Sequence, residues 1–249
     1  MTSLISAELL KLRTTRALYV ALALVVLWAV AGPLLVAWAP AGATIPALVP
    51  ESLAELIRGP ARLACGAMLL IGLLASAGEF RYGTALTTRL AEPNGTRVLA
   101  AKAAALGLVG LVVGILLDVV AGGAGGILLA THHVSVQPLG HGVPGVAVLV
   151  PALLALQGAL GVAIGSVLRN TTAAVGLTLV WVFVVEGVLP VVLRLPAMGH
   201  WLPSGALADV LAPQAGVGQL DQLASAAVLV GYVVLLFVAA VAVDWAREV

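Results

Sequence analysis

The stretch GEFRYGTALTTRLAEPNGTRVLAAK, Gly78 to Lys102, is the long charged interruption between two hydrophobic runs, and the rest of the chain is best understood from it. It carries four of the twelve Lys and Arg residues, at Arg81, Arg89, Arg97 and Lys102. A short basic loop beside two apolar spans is expected on the cytoplasmic side of a membrane. We therefore predict that 79–102 is a cytoplasmic loop.

The middle of this loop has the pattern of a short helix. Leu86 and Leu90 lie one helical turn apart, and Pro93 with the following Asn-Gly turn signal has to end the helix. The pattern predicts a rigid helix over 84–90, between two membrane spans, that is suited to pressing on a partner protein.

The residues before this helix are expected to hold the loop in place. Glu79 and Arg81 carry opposite charges on either side of Phe80. We predict that both fix the loop through ion pairs. Gly83 should permit the tight turn that leads into Thr84.

The composition is that of an integral membrane protein. Of the 249 residues, 62% are hydrophobic and 9% are charged, whereas ordinary soluble domains are about 25% charged. The mean hydropathy is +1.16. No basic patch interleaved with aromatic residues occurs, so no nucleic-acid partner is expected. Cys65 is the single cysteine, which excludes an intrachain disulfide, and the scarcity of Lys suggests a GC-rich bacterial genome.

Six hydrophobic runs predict an all-α, polytopic membrane protein with six transmembrane helices in one domain. The predicted spans are 17–39, 61–79, 103–130, 143–168, 173–192 and 224–243. At roughly 1.5 Å per residue the first is about 35 Å long, enough to cross a hydrocarbon core of about 30 Å. It is also too long for the apolar core of a cleaved signal peptide.

The outer segment 194–222 lies between the last two spans. Pro and Gly interrupt it too often for a membrane crossing, yet it is too apolar for a free loop. We expect re-entrant or half helices there, since irregular backbone at membrane depth has to be buried by protein.

Glycines at four-residue spacing predict close helix contacts. The pairs are Gly110 with Gly114, Gly122 with Gly126, and Gly161 with Gly165. Small residues at this spacing let helices approach in lipid. Packing within one subunit is favoured over a dimer interface.

The N-terminal residues 4–16 predict an amphipathic helix on the inner membrane surface. Its apolar stripe is formed by Ile5, Leu9 and Leu12. Glu8 and Lys11 are expected on another face, and Lys11, Arg13 and Arg16 should point toward anionic headgroups. Two roles stay open: contact with an ATP-binding partner, or a plain topogenic anchor.

The distribution of Lys and Arg predicts the orientation. With a cytoplasmic N-terminus, nine basic residues fall inside and three outside, which accounts for all twelve. The inner ones are Lys11, Arg13, Arg16, Arg81, Arg89, Arg97, Lys102, Arg169 and Arg247; the outer ones are Arg58, Arg62 and Arg194. This bias favours a cell-membrane protein with both termini in the cytoplasm.

Two acidic residues, Asp118 and Glu186, fall inside predicted spans. At roughly 1.5 Å per residue each lies about 20 Å from the inner end of its span. A carboxylate at the centre of a membrane helix costs about 2.5 kcal/mol or more, so it normally faces a polar cavity or a partner. Two interpretations stay open: that both acids line a translocation path, or that they are hydrated near the outer interface.

No motif for catalysis or metal binding is found in the sequence. Neither lysine stands in the glycine frame of a nucleotide-binding loop, and Ser204-Gly205 lacks the preceding glycine of a nucleophile elbow. Three histidines, His132, His133 and His141, share a predicted outer loop without further zinc ligands. We expect a chain without enzymatic activity, a metal site or a directly bound cofactor.

The ordered string Glu79 to Thr84, directly after a span and followed by a proline, an arginine and the Ala-Lys that opens the next span, resembles the first cytoplasmic loop of type 2 ABC exporter permeases. The string LPSGA at 202–206 is similar to the outer segment of the same family. With the six-span layout, the resemblance covers essentially the whole chain.

This resemblance implies a membrane-spanning permease subunit whose first cytoplasmic loop docks on a separate ATP-binding subunit, which holds the ATP and Mg. The docking residues it implies are Glu79, Phe80, Arg81, Tyr82, Gly83, Thr84, Leu86 and Arg89. It also implies export, a second permease copy or a related permease as partner, and outer helices that cap the exit path.

Two other classes of protein are alternatives to the permease. A proton-coupled secondary transporter would use Asp118 or Glu186 and need no ATPase, but the sequence shows no internal repeat of broken helices. A membrane-embedded enzyme would show polar clusters at an interface, which we do not find. The apolar spans do not indicate whether the substrate is a drug, a lipid, a peptide or a glycan.

Overall fold

A computed structural model of the chain describes residues 1–38, 52–131, 143–211 and 220–246. Within these ranges the regular structure is entirely helical. The helices are α1 (Thr2–Thr14), α2 (Arg16–Trp38), α3 (Ser52–Arg81), α4 (Thr84–Ala91), α5 (Gly95–Thr131), α6 (Val143–Leu168), α7 (Thr171–Val180), α8 (Leu189–Val192), α9 (Pro196–His200), α10 (Pro203–Leu211) and α11 (Gln222–Trp245). A π-helical segment, Trp181–Glu186, follows α7.

Five helical stretches in the described part of the chain are long and apolar enough to cross a membrane. They are Ile57–Arg81, Gly95–Ile127, Gly145–Leu168, Thr171–Val192 and Gln222–Trp245. A sixth is reached only when α1 and the first part of α2, bent by 70° relative to each other, are counted together. The chain is therefore an all-helical protein of multi-pass membrane type, with five spans by length and composition.

Two helices extend beyond the predicted spans. The helix α3 begins at Ser52 rather than at 61 and passes through Pro60, as membrane helices tolerate when neighbours pack around the freed backbone. The helix α5 begins at Gly95 rather than at 103, because Asn94 caps it: the Asn94 side chain accepts a hydrogen bond from the backbone N–H of Arg97 at 3.1 Å. The loop predicted over 79–102 is therefore mostly helical.

The helices α3, α5 and α6 form the core of the bundle. A methyl group on Gly161 of α6 would lie 2.0 Å from the carbonyl oxygen of Leu69 on α3, so the two backbones are in direct contact. A methyl group on Gly110 of α5 would similarly lie 2.6 Å from the carbonyl oxygen of Leu154 on α6. Glycine is required at such points because any side chain would separate the helices.

The Gly122 and Gly126 pair makes no close helix contact among the described residues of this subunit. An added methyl group at Gly122 would make only an ordinary contact with Ile57, at 3.8 Å, and one at Gly126 would meet nothing within 4 Å among the described atoms. These two glycines lie beyond the part of α5 that packs tightly on α6. Four-residue spacing shows that a close contact is sterically possible, but not that a partner helix is present.

The outer segment 194–222 contains two short helices, α9 and α10, and its residues 212–219 lie outside the described ranges. With nine residues, α10 is about 14 Å long at roughly 1.5 Å per residue, too short to cross a membrane. It buries Ala206, Val210 and Leu211 against the bundle. The apolar character of this segment is explained by that packing.

Candidate functional site

The short helix α4 is defined by its two ends. Gly83, just before it, has a φ of +72°, in the left-handed region that favours glycine. Glu92, just after it, is extended, as expected for a residue that precedes a proline. The helix therefore occupies Thr84–Ala91, close to the stretch indicated by the sequence pattern.

One face of α4 is fastened to the bundle. The Thr88 hydroxyl accepts a hydrogen bond from Lys11 Nζ of α1 at 3.3 Å. The Arg89 guanidinium forms an ion pair with Asp244, near the end of α11. Because these contacts come from the two ends of the chain, α4 is held between the first and the last helix.

The opposite face of α4 is apolar and exposed. Leu86 is 67% exposed and Leu90 is 79% exposed. These two leucines lie one turn apart, and burial within the described chain does not account for either. Leu86 and Leu90 form the outward face that α4 presents to its surroundings.

A four-charge cluster lies behind α4 and consists of Glu8, Lys11, Glu79 and Lys102. Lys11 Nζ lies 2.6 Å from Glu8 Oε1 and 2.9 Å from Glu79 Oε1. Lys102 Nζ lies 2.7 Å from Glu79 Oε2 and 3.4 Å from Glu8 Oε2. The cluster joins α1, α3 and α5, and its two positive and two negative charges balance.

The ion pairs in this cluster dominate the titration of Lys11. Burial alone would lower the pKa of this ammonium group, but its hydrogen bonds and charge interactions with Glu8 and Glu79 raise the pKa above the ordinary lysine value. Lys11 is therefore charged throughout the physiological range.

A second ionic cluster, Asp244 with Arg89 and Arg169, ties the ends of α11, α4 and α6 together. Arg169 follows α6 and places its guanidinium nitrogen 2.6 Å from Asp244 Oδ1. The same guanidinium lies 5.2 Å from the centre of the Phe80 ring, within the range of a cation–π contact. The three helix ends and α4 therefore meet at one charged end of the bundle.

The geometry differs from two predictions made for the loop and for α1. Arg81 was expected to fix the loop by an ion pair, but within the described ranges it forms none; its guanidinium lies 5.8 Å from the centre of the neighbouring Tyr82 ring. Glu8 and Lys11 were expected on a face away from the apolar stripe, but both face α3 and α5. The Arg13 side chain is exposed, and its orientation toward anionic headgroups stays a prediction.

The reason for the error at Glu8 is its helical position. Residues 5, 8 and 12 are three and four apart and therefore lie on the same side of a helix. Glu8 is accordingly buried next to Leu12, rather than opposite it. The spacing of residues 5, 8 and 12 alone places Glu8 on the apolar side of α1. A glutamate is stable there only beside cations, and those cations come from other helices.

Lys102, Asp244 and Arg169 also belong to this charged end of the bundle, although no sequence motif marks them as site residues. Lys102 was treated as the end of a loop, yet it is 2% exposed. One feature of the sequence could have indicated them: several predicted spans end on the same side of the membrane, and charges of opposite sign lie at those ends. Which of them pair could not be read from that signal.

A separate cavity of about 510 Å³ lies within the membrane-spanning part. Its walls come from α3, α6, α7 with the π-helical segment, α10 and α11. The lining is mostly apolar, with polar groups from Arg62, Gln157, Thr178, Glu186, Ser204 and Tyr232. The volume falls in the range of roughly 300–1,000 Å³ typical of small-molecule sites.

The structure separates the two intramembrane acids. Glu186 lines the cavity and accepts a hydrogen bond from the backbone N–H of Ser204, at the start of α10, at 2.6 Å. Asp118 is on α5 and is not part of the cavity wall; its enclosed Oδ1 has no hydrogen-bond partner among the described residues. The two acids therefore do not share one site.

Potential metal ligands do not come together in the described ranges: no group of three or more His, Cys, Asp or Glu side chains is placed to hold an ion. The predicted outer loop with His132, His133 and His141 lies outside those ranges.

In comparisons with known proteins, no family profile and no curated protein matches this chain.

Proposed function

We propose that this chain is the membrane-spanning subunit of an ATP-driven exporter, with α4 as the element that docks on a separate cytoplasmic ATP-binding subunit. The observation that carries the proposal is the two-sided character of α4. Its outward face exposes Leu86 and Leu90, while its inward face is tied to α1 and α11 through Thr88 and Arg89. The resemblance of 79–84 to type 2 ABC exporter permeases supports the same role.

The two ionic clusters are what make α4 suitable for coupling. A displacement of α4 is passed to α1 by the Thr88–Lys11 contact and to α11 by the Arg89–Asp244 pair. Lys11 and Lys102 connect α1 and α5 through Glu79, which belongs to α3. Force on α4 is therefore distributed over α1, α3, α5 and α11, as a rigid coupling requires.

In this proposal the charged end of the bundle is cytoplasmic, because the Lys and Arg residues concentrate there. The chain itself binds neither ATP nor Mg, which belong to the partner. A second permease, identical or related, completes the translocation path.

The proposal is tested by co-purification from the native membrane. The tagged wild-type chain is purified in mild detergent, the co-purifying proteins are identified by mass spectrometry, and the ATPase activity of the complex is measured. We expect a polypeptide with a nucleotide-binding loop. A Leu86→Ser/Leu90→Ser variant should lose it, because the exposed leucines contribute apolar contact to the interface.

The matched control is Arg97→Ala, which alters an exposed residue on the first turn of α5 without changing the apolar face of α4. It should retain the ATPase subunit. A wild-type chain that is purified alone and transports without ATP would contradict the proposal. The same holds if the Leu86→Ser/Leu90→Ser variant co-purifies with as much of the ATPase subunit as the wild type does.

A second candidate is a proton-coupled transporter, and Asp118 is the observation that favours it. Its carboxylate is half-buried in a membrane span with one oxygen unpartnered among the described residues. In that case transport would follow a pH gradient in vesicles without ATP and would be lost in Asp118→Asn. Transport that persists in this variant would exclude a role for Asp118 in proton coupling.

A further inference from the structure

The Glu186 carboxylate lies in the wall of the cavity without a basic partner. Its Oε2 accepts a hydrogen bond from the backbone N–H of Ser204 at 2.6 Å, which holds the carboxylate at the start of α10. Within the described ranges, no Lys, Arg or His side chain forms an ion pair with it. A carboxylate in a membrane span normally has a partner or faces a polar cavity, because the charge is costly in apolar surroundings. A cation inside the cavity would supply that partner.

Other enclosed carboxylates of the bundle are paired by the protein itself. Lys102 Nζ lies 2.7 Å from Glu79, and the Arg169 guanidinium lies 2.6 Å from Asp244. Arg62 lines the cavity from α3, but it is exposed and does not pair with Glu186. Its long side chain allows the guanidinium to reach water. Glu186 therefore differs from the carboxylates at the charged end of the bundle.

The π-helical segment brings an aromatic ring to the same wall. Trp181 and Glu186 are the first and last residues of this segment, and both line the cavity. In an α-helix with 3.6 residues per turn, side chains five residues apart point about 140° away from each other. The i→i+5 hydrogen bonds of a π-helix make a wider turn, which brings such residues to the same side. The π-helical turn thus explains how this ring and this carboxylate face one cavity.

A second ring comes from α11. Tyr232 lines the cavity, and its phenol group interacts electrostatically with the Glu186 carboxylate. The Tyr232 hydroxyl donates a hydrogen bond to the carbonyl oxygen of Trp201 at 3.3 Å, which holds the ring in place. Aromatic rings attract cations through their faces. Most of the remaining wall is apolar and includes Leu160, Ile164, Leu177, Leu207, Leu235 and Leu236.

We propose that this cavity binds a lipophilic organic cation. The positive centre lies beside the Glu186 carboxylate and the rings of Trp181 and Tyr232, and the apolar groups of the cation contact the leucine-rich wall. The volume of about 510 Å³ suits a small molecule of this kind. The site belongs to the chain itself and needs no ATP-binding partner, so its test is independent of the proposed function.

Tetraphenylphosphonium is a suitable probe, because it carries a permanent positive charge on an apolar body. Tetraphenylborate has the same shape and a negative charge, so it is the matched control ion. Both ions are radiolabelled and are equilibrated separately with the full chain in lipid nanodiscs. Binding to nanodiscs without protein is subtracted, which corrects for partition of each ion into the lipid.

We expect saturable binding of tetraphenylphosphonium to the wild type and much weaker binding of tetraphenylborate. Glu186→Gln should weaken phosphonium binding about tenfold, because it removes the charge but keeps the size and an oxygen for the Ser204 N–H. Trp181→Leu should weaken it about fivefold through the loss of one ring. Arg62→Gln should not weaken it, because this change removes a like charge from the wall.

Asp221→Asn and Trp245→Leu are the matched controls for the charge and for the ring. Asp221 stands at the start of α11 and Trp245 at its end, and neither lines the cavity. Both variants should bind tetraphenylphosphonium like the wild type.

Equal binding of the two ions to the wild type, or tighter binding of tetraphenylborate, would overturn the proposal. Tighter binding of the borate would instead indicate an anion site at Arg62. This comparison uses the wild type alone, so it is decisive even if Glu186→Gln does not fold. Undiminished phosphonium binding in a folded Glu186→Gln variant would also overturn the proposal.

Discussion

Lys102 Nζ of α5 lies 2.7 Å from Glu79 Oε2 of α3, although only 3% of the lysine side chain is exposed. An ammonium group removed from water to this degree is stable only beside a carboxylate. The pair therefore fixes the end of α3 relative to the start of α5, on either side of α4. Its partners Glu8 and Lys11 extend the same constraint to α1.

Removing the negative charge of Glu79 should destabilise the chain strongly. In Glu79→Gln the buried Lys102 loses its nearest counter-charge, and breaking a buried pair in this way costs about 3–5 kcal/mol. Denaturant unfolding in detergent measures the loss. The double variant Glu79→Gln/Lys102→Met should recover much of it, because no buried charge is left alone. A double variant less stable than Glu79→Gln would show that the pair is not the cause.

Asp244 should control the mobility of α4. Asp244→Asn weakens the contacts with Arg89 and Arg169 without a change in size, so the amides of Thr84–Ala91 should exchange with deuterium about tenfold faster. Hydrogen-exchange mass spectrometry measures this directly. Asp221→Asn, at the start of α11, removes the same charge at the far end of that helix and should leave α4 unchanged. Equal exchange in all three proteins would refute the anchoring role.

Close packing of α3 on α6 should depend on Gly161. The added methyl group of Gly161→Ala meets the backbone of Leu69, which cannot move aside as a side chain can, and overpacking of this kind costs about 1–3 kcal/mol. Gly107→Ala provides the comparison, because a methyl group there would meet nothing within 4 Å. Thermal unfolding of the two variants should separate them clearly. Equal unfolding temperatures of the two variants would show that the backbones of α3 and α6 do not touch at Gly161.

The cluster at α1 should respond to high pH only. Because the pKa of Lys11 is raised in the folded chain, its stabilising contribution is complete below the ordinary lysine value of 10.5 and disappears as the pH rises through the higher folded value. The stability difference between wild type and Lys11→Met should thus be constant from pH 6 to about pH 10 and shrink above it. It should be well below 1 kcal/mol, since Lys11 is 45% exposed. A difference that shrinks already near pH 7 would contradict the raised pKa.

Gln157 should be unfavourable for the stability of the chain, because its buried Oε1 has no hydrogen-bond partner among the described residues. Replacing it by leucine removes an unsatisfied buried oxygen, whose cost is about 1–3 kcal/mol, and keeps a similar volume. Gln157→Leu should therefore unfold at a higher temperature than the wild type. Thr178→Val, at another polar position of the cavity wall, is the comparison and should not gain stability to the same extent. A destabilised Gln157→Leu would indicate that the protein itself satisfies this group.

The membrane character of the chain and its short helix α4 could be predicted because both depend on local sequence. Runs of about twenty apolar residues can only be helices in lipid, since the backbone has to satisfy its own hydrogen bonds. Gly83 before α4 and the proline after it restrict the backbone whatever the surroundings are. The positions of α6 and α11 follow from the same reasoning and lie within two residues of the predicted spans.

The tertiary structure decided which charges and polar groups meet. Glu79 pairs with Lys11 and Lys102 rather than with its neighbour Arg81, because α1 and α5 bring those ammonium groups to the buried side of α3. The orphan oxygen of Gln157 has the same origin, since no donor from another described helix reaches it. Hydropathy and spacing specify where helices begin and end, whereas the partner of a buried charge depends on helices that are distant in the chain.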